Sequence, residues 1–245
     1  MKLFHFYSIP IVITLSFAQV NTESMRGEPE STGITSFIQF DFDYISGNSE
    51  IFFLNGTFRF DYRRETGFHS FLTGTFDRSF EKSEEDFSNR GFTHFRITQP
   101  VKESVFGELY LQKEYNHYLD LQNRELIGCG LRWQPIKNFY LGNGLMQEME
   151  RYSFLSRDNS FLKSTNYLTH STEVNRSISF NNTFYYQFKL KSIDHFRILW
   201  DGELECYLAS GVSYFMGIHL RYDKSDINPD GNTYMEVHNG IGIQF

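Results

Sequence analysis

The chain has 245 residues with 30 acidic against 23 basic side chains, a net charge of −7, which leaves no basic face for gripping nucleic acid. That length suits one domain rather than two generous ones, and two cysteines supply at most one disulfide. Five prolines, 18 % aromatic residues and 27 Phe against two Trp describe a β-rich protein without separating a sandwich from a barrel.

Residues 1–18 carry one basic residue, Lys2, then an apolar run from Ile9 to Phe17 and the small-x-small triplet Ser16-Phe17-Ala18. This is the pattern of a secretory signal peptide cleaved after Ala18. A membrane anchor would need an apolar run of roughly 20 residues, and this one is shorter. No cysteine lies near the junction, so a lipid anchor is not expected. A polar, flexible segment is expected from Gln19 to Gly33, and a single β domain from 34 to 245.

From residue 34 onward the chain alternates with period two, the mark of strands whose two faces meet different surroundings. Ile38-Gln39-Phe40-Asp41-Phe42-Asp43-Tyr44 and the stretch Leu54 to Tyr62 place aromatics and aliphatics on one face, acids and amides on the other. Val105, Gly107, Leu109 and Leu111 alternate with Phe106, Glu108, Tyr110 and Gln112. Ile178 to Phe188, Phe196 to Asp201 and Val212 to Arg221 repeat the pattern, whereas the facing of Phe161 to Glu173 stays undecided. Such segments number about twelve and run to about ten residues or more, which suits a tilted membrane crossing better than a soluble sheet.

The connections give a second signal. Short turns at Arg63–Gly67, Gln99–Glu103, Gln134–Asn138, Val174–Ser177 and Leu208–Gly211 alternate with longer polar connections at Asp77–Arg90, Tyr115–Glu125, Glu150–Ser160 and Asp223–Asn232. Turns on one side and loops on the other are the layout of an outer-membrane barrel. Ile45–Glu50 and Lys189–Asp194 are shorter than that layout predicts. The last segment, Thr233 to Phe245, ends on an aromatic residue, resembling the signal read by the barrel-assembly machinery of the outer membrane. In hydrocarbon no water satisfies strand edges, so such a sheet must close on itself. The expectation is therefore an all-β fold, a single antiparallel transmembrane β-barrel of about twelve strands in the outer membrane of a diderm bacterium.

On the face assigned to the lumen, charge of both signs gathers on four consecutive strands: His94, Arg96, Glu108, Gln112, Glu114, Arg124, Arg132, Glu148 and Glu150. Carboxylates and guanidinium groups facing each other there should pair and fill the interior. A polar constriction selecting an ion or small solute needs the same residue types, so both readings stay open. A barrel hydrolase would need a His and a Ser two residues apart on one outward ridge. Here His69-Ser70 and His170-Ser171 are adjacent and so point to opposite faces, and His238-Asn239-Gly240 has no serine; no catalytic residues are expected. His94, His195, His219 and His238 are scattered lumen candidates without metal-ligand spacing, and no cofactor or metal is expected. Cys129, beside Ile127, Leu131 and Trp133, and Cys206, beside Leu204 and Trp200, are expected to face lipid as free thiols too far apart to bridge.

From Asn55 to the C-terminus the segment order resembles the salt-induced outer-membrane protein family, YdiY-like, or domain of unknown function 481. The resemblance rests on the runs Asn89 to Arg96, Glu108 to Asn116, Arg124 to Arg132 and Gly142 to Glu150, with Tyr185-Tyr186-Gln187 and the terminal Phe245. Cys129 stands where a small residue is usual. What the resemblance implies is an outer-membrane barrel, envelope-stress related, with no assigned molecular activity and no catalytic residues to carry over. A soluble periplasmic β-rich binding protein, whose apolar face packs on another layer, is the remaining alternative.

Overall fold

The computed structural model describes residues 22, 23, 26, 32–47, 50–81, 86–155, 158–175, 177–209, 212–225 and 230–243. The expected signal peptide at 1–18 and the terminal Phe245 lie outside them. Twelve strands follow in order: β1 (Gly33–Ser46), β2 (Glu50–Arg63), β3 (His69–Glu81), β4 (Asp86–Lys102), β5 (Val105–Asn116), β6 (Leu121–Ile136), β7 (Phe139–Tyr152), β8 (Asn159–Asn175), β9 (Ile178–Lys189), β10 (Ser192–Ala209), β11 (Val212–Lys224) and β12 (Asn232–Ile243). They form one antiparallel sheet in which each strand pairs with its neighbours in sequence. The fold is all-β, as alternation requires, and β1 and β12 are the terminal strands of the ladder.

Two expectations about the connections are corrected. Of the polar stretches read as long loops, Asp77–Arg90 and Tyr115–Glu125 are mostly strand, Glu150–Ser160 and Asp223–Asn232 remain mostly connection, and the four connections narrow to 82–85, 117–120, 153–158 and 225–231. The physical reason is visible at β3 and β4, where Arg90 Nη2 donates to Asp77 Oδ2 at 2.6 Å and Ser88 Oγ to Asp77 Oδ1 at 3.0 Å. Polar side chains pairing across the ladder let it continue past the apolar band. Pro100 and Pro135, expected in turns, sit instead near the ends of β4 and β6, where the register shifts between Pro100 and Lys102 and between Trp133 and Ile136. A missing N–H is tolerated at such irregular strand ends.

Burial is inverted relative to a water-soluble protein. Leu109, Ile127 and Leu131 are 57–58 % exposed, while on the opposite face His94 and Arg124 are 1 % and Glu148 is 0 % exposed. The sheet is also rolled. Neighbouring strands lie about 4.8 Å apart, so β5 and β8 in a flat sheet would be about 14 Å apart. Yet Tyr167 Oη on β8 donates to Glu108 Oε2 on β5 at 2.9 Å. The polar face is thus concave and lines a bore. All five short turns, the start of β1 and the end of β12 fall at one end of it.

The facing of β8, undecided by alternation, follows from register. Tyr167 lies opposite Gly142 and Tyr185, and Lys163 opposite Met146 and Lys189, so Phe161, Lys163, Thr165 and Tyr167 face the bore. Aromatic rings among these inward positions blur the polar–apolar alternation, which is why the pattern alone did not decide.

Candidate functional site

Register places the bore residues in rows across the sheet. One row runs Phe37, Arg59, Thr73, His94, Gln112, Leu126 and Glu148, climbing from the turn end of β1 towards the loop end of β7. All nine residues singled out from sequence are buried on this concave face. They fall into two groups, with Gln112 between them: it accepts towards His94 Nδ1 at 3.3 Å and donates to Glu114 Oε2 at 2.8 Å.

The group nearer the loop end centres on Arg124. Its Nη1 donates to Glu114 Oε1 at 2.6 Å and its Nε to Glu150 Oε1 at 2.7 Å. Lys163 pairs with Glu148, and Arg197 on β10 reaches across the bore to Glu148 at 3.6 Å and Glu150 at 3.5 Å. Arg197 is itself held by Asp223 at 2.9 Å. Charges this deep are tolerable only because each faces an opposite charge.

The second group, Arg96, Glu108 and Arg132, meets partners that sequence reading did not anticipate. Thr22, Glu23 and Arg26, from the segment expected to be a flexible leader, lie inside the bore. Glu23 is 5 % exposed; its Oε1 accepts from Arg96 and its Oε2 from Arg132. Arg26 Nη2 donates to Glu23 Oε1 at 2.9 Å and to Glu108, and Nη1 donates to Thr98 Oγ1 at 2.7 Å. Thr22 Oγ1 accepts from Arg96 Nη2 on β4 at 2.6 Å and stands 3.3 Å from Tyr185 Oη on β9, five strands away in the ladder. Burial disfavours the charged form of Glu23, but the guanidinium groups of Arg26, Arg132 and Arg96 outweigh it and hold the carboxyl well below the usual carboxylate range. Three residues of the N-terminal segment therefore dock on the wall at this level, between β4, β5, β6 and β9. The spacing Glu23-x-x-Arg26 was the one available hint, and an isolated acid–base pair in a polar leader says nothing about where it docks.

No family model matches the chain, and no curated protein matches it. Among solved structures it is similar to the NanC porin, at 9 % identity and a TM-score of 0.45, covering 86 % of this chain and 98 % of that one. It is also similar to the translocator domain of the autotransporter NalP from Neisseria meningitidis, at 14 % identity and a TM-score of 0.47, covering 91 % and 92 %.

The wall holds its guanidinium groups in place independently of the N-terminal residues. Arg96 Nε donates to His94 Nε2 at 3.2 Å, and its head lies 5.3 Å from the Tyr110 ring centroid. Arg132 stacks 3.8 Å over the Tyr140 ring and lies 3.4 Å from Tyr167 Oη. Two glycines make the close wall behind them: a Cβ on Gly144 would stand 2.5 Å from the Cys129 carbonyl oxygen, and one on Gly130 2.7 Å from that of Asn143. Beside the cluster is a cavity of about 30 Å³ lined by Thr22, His94, Arg96, Tyr110, Tyr167 and Tyr185 among others, room for water and little more.

The scattered histidines also face inward. His219 Nδ1 stands 2.6 Å from Asp201, His238 stacks on His219 with ring centroids 4.9 Å apart, and His195 Nδ1 is 3.2 Å from Lys189 Nζ. Among the described residues no group of three His, Cys, Asp or Glu side chains is placed to share a metal ion. Both cysteines are free, with Cys129 exposed on the outer wall.

Proposed function

We propose that the chain is a membrane-spanning β-barrel of the outer membrane of a diderm bacterium whose bore is sealed by its own ion-pair network and its N-terminal residues. The observation that carries this reading is the inverted burial: Leu109 at 58 % exposure beside Glu108 at 5 %, adjacent residues on opposite faces. In water, an exposed apolar belt of this kind would drive association; against acyl chains it costs nothing. In this reading the sealed bore makes the protein a structural element rather than an open pore, and a role in envelope stress rests on the family resemblance alone.

Two measurements test it. The protein should stay with the membrane under alkaline carbonate and run at different gel mobilities with and without heating. Extraction into the soluble fraction, with one mobility throughout, would sink the membrane assignment. In planar bilayers the full chain should show a closed trace at rest, and steady conductance would argue against a sealed bore.

A further inference from the structure

Glu23 occupies its place as a ligand would. Each of its two carboxylate oxygens takes a separate wall guanidinium, Arg96 on one and Arg132 on the other, and Arg26 lies across both at 2.9 and 3.2 Å. The wall residues are set by contacts of their own to His94, Tyr110, Tyr140 and Tyr167. What the N-terminal residues add is a carboxylate for the two arginines and a cation for Glu108. Without them the cluster retains two guanidinium groups against the single carboxylate of Glu108, all buried, where an unanswered charge is costly. A preset pair of donors aimed at one carboxylate is a binding site for carboxylates in general.

We propose that Arg96 and Arg132, backed by Tyr167 and Tyr185, form a binding site for small aliphatic carboxylates, and that Glu23 fills it as a competing, built-in ligand. A solute carboxylate that takes the two guanidinium groups displaces the N-terminal residues and opens this level of the bore. The site belongs to the folded sheet in detergent as in lipid, so a failure of membrane insertion leaves it standing.

The test uses Thr22→Cys in a Cys129→Ser, Cys206→Ser background of the full mature chain, with folding verified by heat-modifiable mobility, and glutarate as the probe. Thr22 is 6 % exposed, so a bulky maleimide should label position 22 slowly. Glutarate at about four times its dissociation constant for the vacated site should speed labelling about fivefold, by mass action, while uncharged glutaramide should not. Arg132→Gln should raise the basal rate and remove the glutarate response, and Arg132→Lys, retained in case the glutamine variant does not fold, should weaken it. The proposal is overturned if glutarate leaves labelling unchanged both in this protein and in its Glu23→Gln derivative, where competition is weakest. It is equally overturned if glutaramide acts as well as glutarate, or if the folded Arg132 variants respond like the parent.

Discussion

Phe37 and Glu148 lie in the same register row and face the same way, yet Phe37 on β1 is 51 % exposed and Glu148 on β7 is fully buried. From β4 to β10 the bore side chains meet partners from across the roll: Arg197 with Glu150, Tyr167 with Glu108, Glu23 with Arg96 and Arg132. Along β1 even inward positions such as Thr35 and Asp43 remain exposed. Two effects combine. The strands are staggered, so a row that is deep at β7 reaches the turn-end rim at β1. The cross-bore partners also gather between β4 and β10, away from this terminal strand. An inward direction is therefore not sufficient for burial; curvature and stagger choose which inward groups are sealed.

The contrast is broken most severely at Arg124. Arg124→Ala leaves Glu114 and Glu150 facing each other without their shared guanidinium, and we expect a loss of about 3–5 kcal/mol in the urea unfolding of vesicle-embedded protein. A loss below about 1 kcal/mol, the size of a surface pair, would mean the loop-end network is wet.

Glu23→Gln should cost about 1.5–3 kcal/mol at neutral pH, the scale of hydrogen bonds to charged groups. Because the folded-state carboxyl is held down, the stability Glu23 contributes is present above its ordinary value of 4.5 and drains away as pH falls below it. The difference between parent and Glu23→Gln should therefore narrow from pH 6 to pH 3. A difference that stays constant over that range would show that the charge of Glu23 is not what holds the segment.

Gly144→Ala places a methyl 2.5 Å from a backbone oxygen that cannot swing away, and about 1–3 kcal/mol should be lost. In Gly217→Ala the nearest atoms belong to the His238 ring, a side chain that can swing aside at the expense of its stacking on His219, so it should cost less. Equal losses would count against a specially tight β6–β7 wall. The smallest effect is expected at the rim, where Asp43→Asn should change stability by no more than about 0.5 kcal/mol.

Much of the site could be read from alternation, because a strand has only two faces and a charge facing lipid is prohibitive. That rule alone put Glu108, Arg132 and Glu148 on the bore side and Leu109 and Cys129 outside. It faltered on β8, where Phe161 and Tyr167 are inward rings among polar neighbours. It also misread the length of the connections, since polar residues that pair across a ladder look like loop residues in a list.

The order of twelve strands, their antiparallel pairing and the two-faced wall were determined by the sequence itself, since each depends on residues a few positions apart or joined by one turn. Who pairs with whom across the bore was decided only by tertiary structure. Arg197 meets Glu150 and Thr22 meets Tyr185 because rolling and stagger bring distant strands within a side chain's reach. The docking of Glu23 between Arg96 and Arg132 is the plainest case. Its position in the chain carries no trace of the pocket, which exists only once β4 and β6 have been curved toward the same axis.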